Sequence, residues 1–194
     1  MPLLRVAIAA RSAAIFVLCA GVAGCGGGGS QQSASSVYDL TAAPSHPPRS
    51  LRAKVNVLPP AAAGDLDSDR VLVRTGPNDR AVLAGARWSD RLPVLIQSRL
   101  EAIFDNSPKR GGGAREYNLE TDVRAFELDA DARRVEIDIA VKLVSTGAGR
   151  VVATKTFKAE AAVASTAPQV VTVALDGALQ GVTARIYAFV ASSL

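Results

Sequence analysis

The chain has little of what chemistry usually draws on: one histidine, two cysteines, one methionine, one tryptophan, and aromatic residues at only 5% of its 194 positions. His46 stands in a proline-rich stretch with no cysteine or acidic neighbour, and it reads as a solvated loop residue. A nucleophile therefore has no imidazole to take its proton, and structural zinc has no Cys/His set to sit in. The carboxylates fall on polar strand faces, in turns or on the wet side of a helix, so no pair is expected to do acid–base work. No catalytic residue, metal or cofactor is predicted. Charge of one sign is scarce too. The formal charge of +4 loses two units if Arg5 and Arg11 are removed, and the remaining basic residues are interleaved with acidic ones, which argues against nucleic acid as a partner. The apolar run Ala13–Val22 is shorter than the roughly 20 residues a membrane span needs.

What that run does have is the layout of an export signal. Arg5 and Arg11 precede it, and the small residues Ala23 and Gly24 follow it. Val22-Ala23-Gly24-Cys25 resembles the lipobox of bacterial lipoproteins. Cys19 does not, because the bulky Leu18 precedes it. The lipoprotein resemblance implies cleavage before Cys25, a thioether from its thiol to diacylglycerol, and an acylated amino terminus. Lipidation would also consume the one thiol left after cleavage, which has no partner for an internal disulfide. Several acyl chains, at about 0.8 kcal/mol per buried CH₂, make a lasting anchor. Gly26–Ser36 has the composition of a flexible tether. The organisation expected is a signal over 1–24, a tether over 25–36 and a folded domain over 37–194. With Gly26 rather than Asp after the cysteine, the lipoprotein resemblance implies the outer membrane, facing the periplasm.

Along the folded part, Val37-Tyr38-Asp39-Leu40 is a short strand candidate, and prolines make Thr41–Pro48 an extended connection. Leu51–Leu58 alternates as a half-buried strand stopped by Pro59-Pro60. Asp65, Asp67 and Asp69 have the spacing that opens a calcium loop, but Arg70 and Gly76 stand where such a loop needs Gly and Glu, so a turn is the better reading. Val71–Arg74 and Ala81–Ala84 flank Gly76-Pro77-Asn78 as a hairpin. Ser89 or Asp90 is expected to cap a helix with Pro93 in its first turn and a stripe of Leu92, Leu95, Ile96, Leu100, Ile103 and Phe104. A basic, glycine-rich loop around Lys109-Arg110 follows.

Asn118–Leu128 changes the parity of its apolar residues, which calls for a bulge near Arg124-Ala125 or for cover on both faces. Val135 to Leu143 alternates cleanly, and Val151–Ala161 returns beyond Gly147-Ala148-Gly149 with Phe157 inward. The last segment reads as a helix: Thr166 as cap, Pro168 in the first turn, an apolar stripe from Val171 to Val190, and Thr172, Asp176, Gln180, Thr183 and Tyr187 on the wet side. Gly177 and Gly181 within it suggest close packing against a neighbour. The fold class predicted is α+β, a single twisted, mainly antiparallel β-sheet with two helices packed on one face.

Four pieces together carry a resemblance: the lipobox with Cys25; Tyr38-Asp39-Leu40; the hairpin at Gly76-Pro77-Asn78; and Arg87-Trp88-Ser89-Asp90-Arg91-Leu92-Pro93 leading into Leu100. They resemble the ABC-type transport auxiliary lipoproteins that accompany mammalian-cell-entry (MCE) domain proteins. The resemblance implies no catalytic residues. It implies an accessory that docks on the MCE-domain protein of an ABC transporter complex moving phospholipids or other hydrophobic compounds between membranes. A bound lipid, as in a periplasmic carrier or chaperone, and a homo-oligomer are compatible with it, as is a purely structural envelope role. Trp88 and Tyr38 are the interface candidates; for Trp88 a core or staple role has at least the same weight.

Overall fold

The computed structural model describes residues 35–40, 51, 53–105 and 115–194. Strands β1 (Ser36–Tyr38), β2 (Ala53–Val57) and β3 (Ala61–Ala62) come first. A 3-10 turn at Gly64–Leu66 leads to β4 (Arg70–Arg74), β5 (Arg80–Trp88) and helix α1 (Leu92–Asp105). Strands β6 (Arg115–Asp129), β7 (Arg134–Ser145) and β8 (Val151–Ala162) and helix α2 (Pro168–Ser193) complete the order. The fold is α+β, built on one sheet. Cys25, His46, the proline-rich connection and the loop around Lys109 lie outside the described residues.

The sheet is built around β6. β7 runs antiparallel along one edge of it, from Tyr117 opposite Ser145 to Asp129 opposite Arg134. β2, β3 and β4 line the other edge in turn, all parallel to it. The sheet is therefore mixed. Its long ladders, β6–β7 and β7–β8, are antiparallel as predicted, whereas the short ones at β1–β5 and along β6 are parallel. The parallel pairings along β6 arise because the chain leaves through β5 and α1 before it returns as β6, the kind of crossover that parallel neighbours require. Pro59 and Pro60, with no N–H to give, fall between β2 and β3 where the ladder lapses, and Leu58 N–H reaches Leu119 O at 3.0 Å just before them.

Of the two readings of the parity change, the structure realises the bulge: the β6–β7 register shifts between Val123 and Ala125. Leu119, Thr121 and Val123 are buried before it and Phe126 and Leu128 after it, so the bulge returns the apolar set to the covered face. β5 runs past the predicted end of the hairpin, through Gly85 to Trp88. Gly85 sits at φ +76, a left-handed conformation that favours glycine, and beyond it Ala86 and Trp88 turn inward. That extension is the part of β5 that β1 joins, Ser36 pairing with Ala86, one residue before the predicted start of the domain.

Both helices cover the same sheet face; α2 lies on β7 and β8 and reaches β5, and α1 packs on β2 and against α2. Neither helix is capped as predicted. Asp90 accepts a hydrogen bond from Arg91 N–H (2.6 Å), Ser89 Oγ is turned to Asp39, and the α1 amide of Leu92 reaches across to Ser68 O (2.9 Å). Ala167, not Thr166, precedes α2 and offers no side-chain cap; Pro168 opens the helix without an N–H to satisfy. Of the predicted stripe, Val171, Leu175, Leu179, Val182, Ile186 and Val190 are fully buried, and Ala178 and Phe189 are half-buried. A second row is also covered, contrary to the prediction: Thr172, Thr183 and Tyr187 are buried and Asp176 is half-buried. The reason is α1, whose Phe104 meets Tyr187 with ring centroids 5.5 Å apart and whose Arg99 pairs with Asp176. The threonine hydroxyls return to their own helix, Thr172 to Pro168 O (2.9 Å) and Thr183 to Gln180 O (3.1 Å), and so tolerate the dry setting. Gly177 and Gly181 are exposed, and a Cβ on either would meet nothing, so close packing does not explain them.

Candidate functional site

The segment Arg87–Pro93 is where four parts of the chain are tied together. Trp88 is 1% exposed and meets the ring of Phe126 edge to face at 5.8 Å. Of its two readings, the structure realises the core one, and the indole offers no surface to a partner. Its amide donates to Asp69 O (2.7 Å), and the Ser89 amide donates to Tyr38 O (2.7 Å). Ser89 Oγ donates to Asp39 Oδ1 at 3.0 Å. Arg91 grips Asp67, and Arg87 lies 3.7 Å from Asp69. Two of the three loop aspartates are thus held by arginines of this segment. Asp67 raises the pKa of the Arg91 guanidinium, first through their hydrogen bond and then through its charge. Tyr38 is half-buried at the core margin, on the strand that joins the folded body to the chain before it.

The sheet face away from the helices is a lattice of cross-strand ion pairs. Lys54 meets Glu116 (3.2 Å), Lys142 meets Glu120 (3.1 Å) and Lys158 meets Asp138 (3.0 Å). At the far end Arg74 reaches Asp129 (3.0 Å) and Glu136, and Arg134 reaches Glu136 (2.8 Å) and Glu160 (3.4 Å). Glu127, nearly fully buried, is held by Arg80 at 2.8 Å and faces Arg74 at 3.7 Å. The Asp129 carboxyl titrates below its ordinary range, chiefly because Ala132 N–H donates to it and then because Arg74 and Arg134 stand near. Hydrogen bonding to Glu136 raises the pKa of Arg134. Among the described residues no three His, Cys, Asp or Glu side chains converge as a metal site.

The centre of the space between sheet and helices is filled by side chains. Phe126, Leu119, Ile139, Leu175 and Ile186 are all at or below 1% exposure there. Open clefts lie at the surface instead. One of about 380 Å³ crosses the ion-paired face between Pro59 and Thr154, and one of about 370 Å³ runs between β8 and α2. Sequence reasoning missed the two internal ion pairs, Arg99–Asp176 and the arginines on Glu127. Arg99 was detectable, since it lies three residues from Ile96 and four from Ile103, inside the apolar stripe. Glu127 was not, because its burial depends on arginines brought from another hairpin.

Comparison with known proteins adds the following. The family model described as ABC-type transport auxiliary lipoprotein component matches residues 38–187. The crystal structure of a Xanthomonas campestris protein of family DUF330 is 28% identical, with a TM-score of 0.73, over 81% of this chain and 96% of that one. A second solved structure, of an uncharacterized protein, is 15% identical with a TM-score of 0.64, over 81% of this chain and 99% of that one, and shares the fold. No curated protein matches the chain.

Proposed function

This chain belongs to the ABC-type transport auxiliary lipoprotein family, and on that premise we propose that it is a non-catalytic accessory of an ABC/MCE-type intermembrane transport system. It docks the periplasmic conduit, an MCE-domain protein, at the outer membrane while phospholipid or another hydrophobic compound passes through. The observation that carries this reading is the reach of the family match, which takes in nearly the whole folded body from Tyr38 to Tyr187. Consistent with a scaffold, the described charged groups are largely spent on one another, and the interior is packed. A carrier that held lipid between sheet and helices would need room that these side chains occupy.

In this reading Cys25 bears the acyl chains, and the residues from Gly26 to the start of β1 let the body stand about 20 Å from the bilayer. Affinity capture from detergent-solubilised envelopes tests the docking role. The expected result is co-purification of an MCE-domain protein. Its absence while the ATPase, permease and MCE-domain protein stay together would remove the proposal. Native mass spectrometry of the same preparation separates the carrier role, which requires a retained lipid.

A further inference from the structure

The sheet ends on β8, and nothing among the described residues pairs with its outer edge. The Lys158 carbonyl shows which residues point that way, because it accepts a hydrogen bond from Arg185 Nη2 at 2.6 Å. Antiparallel ladders alternate, so Thr156 and Thr154, opposite Ala140 and Lys142 in unbroken register, also turn N–H and C=O outward. Arg185 closes the edge at Lys158. The stretch before it is open.

Alongside lies the cleft of about 370 Å³ bounded by Lys155, Phe157, Arg185, Ala188, Phe189 and Ser192. Phe157 and Phe189 meet edge to face at 5.7 Å, and Lys155 Nζ is 5.5 and 5.8 Å from their ring centroids. Most described arginines and lysines have a carboxylate within 4 Å, Lys158 among them. Six described ones have none, Arg70, Arg115, Arg133, Arg150, Lys155 and Arg185, and of these Lys155 and Arg185 share this one cleft. Two unneutralised cations beside unpaired strand backbone describe a site that selects both conformation and charge.

We propose that the β8 edge receives an extended, acidic segment of a partner protein, which adds as a further strand at Thr154–Thr156 and sets its carboxylates against Lys155 and Arg185. The proposal rests on the docking role above and gives it a surface. A second copy suits the edge less well, since β8 against β8 would bring these cations onto each other, and the other edge strands, β1 and β2, have three and five residues. A bilayer surface cannot pair with strand backbone.

The test is amide hydrogen exchange, read by NMR on the full lipoprotein in detergent micelles. The probes are a blocked heptapeptide of alternating valine and glutamate and its valine–lysine counterpart. The glutamate peptide is expected to slow exchange at Thr154 and Thr156 by about tenfold or more, and the lysine peptide to leave it unchanged. Lys155→Glu should weaken the glutamate peptide by about tenfold. Thr156→Pro, which removes an outward N–H and leaves the β7 ladder intact, should abolish the effect with α2 signals unmoved.

The proposal is overturned by no slowing with either peptide, by equal slowing with both, or by slowing confined to other elements. It is equally overturned if protein concentration alone, or phosphatidylglycerol vesicles alone, protect these two amides. The docking role is judged separately. If capture of the MCE-domain protein survives Lys155→Glu and Thr156→Pro together, the edge assignment falls and docking stands. If the unaltered protein captures nothing, docking falls, and the peptide result still judges the edge.

Discussion

Gly177 and Gly181 lie on the exposed side of a 26-residue helix with open space where a Cβ would be. Glycine there carries the backbone-entropy cost with no packing in return, so Gly177→Ala and Gly181→Ala should each stabilise by about 0.5–1 kcal/mol, measured by chemical denaturation. Asp129 gives a pH dependence. Its native pKa is depressed by the Ala132 amide and the two arginines, so the stabilisation it brings is present above the ordinary carboxylate range and is lost as pH falls through the native value. Below about pH 4 the melting temperature should fall more steeply for the unaltered protein than for Asp129→Asn, which calorimetry across pH would read.

Between elements, the joint that matters most is α1 on α2. Arg99 is 3% exposed inside the stripe of α1, and its charge is answered by Asp176 of α2. Arg99→Ala takes a charged hydrogen bond from the half-buried Asp176 and should cost about 2 kcal/mol. Replacing both residues with apolar ones, Arg99→Met with Asp176→Leu, should restore most of that. Two-state unfolding of the single and double variants gives the comparison. The same joint marks where sequence reading stopped. The existence and type of the main elements were legible because their apolar residues repeat every two or every three to four positions, and the β6 bulge was legible because Phe126 and Leu128 break the parity of Val123. What α1 would cover was not legible: Thr172, Asp176, Thr183 and Tyr187 look like a solvent face until a second helix is laid on them. The caps were misplaced for a related reason, since Ser89 has its hydroxyl on Asp39, fifty positions earlier in the chain. Trp88 had two readings that composition could not separate, and the packing of Phe126 against it decides for the core.

For the molecule as a whole, the expected anchor precedes β1, and β1 is tied to the body through Ser89 and the Ala86–Trp88 stretch of β5. Replacing the thiol tests that organisation. Cys25→Ser should leave a precursor that is neither cleaved at this point nor acylated, so labelling with radioactive palmitate should fall to background while the folded body keeps its circular dichroism. Retained label would mean that the lipid is carried elsewhere.

The order of strands along β6 also governs when this protein can take shape. Ala53 waits for Arg115 and Leu72 for Glu127, so β2 and the β4–β5 hairpin have no β6 to line until the second half of the chain has been made. Closing such distant pairings is slow, and a product that stops after α1, holding the β4–β5 hairpin but not the strand it lines, should show no cooperative unfolding by circular dichroism. If the leading end is fastened to lipid first, everything behind it arrives as loose chain, and the envelope must keep that chain from aggregating until the last helix arrives to cover the sheet.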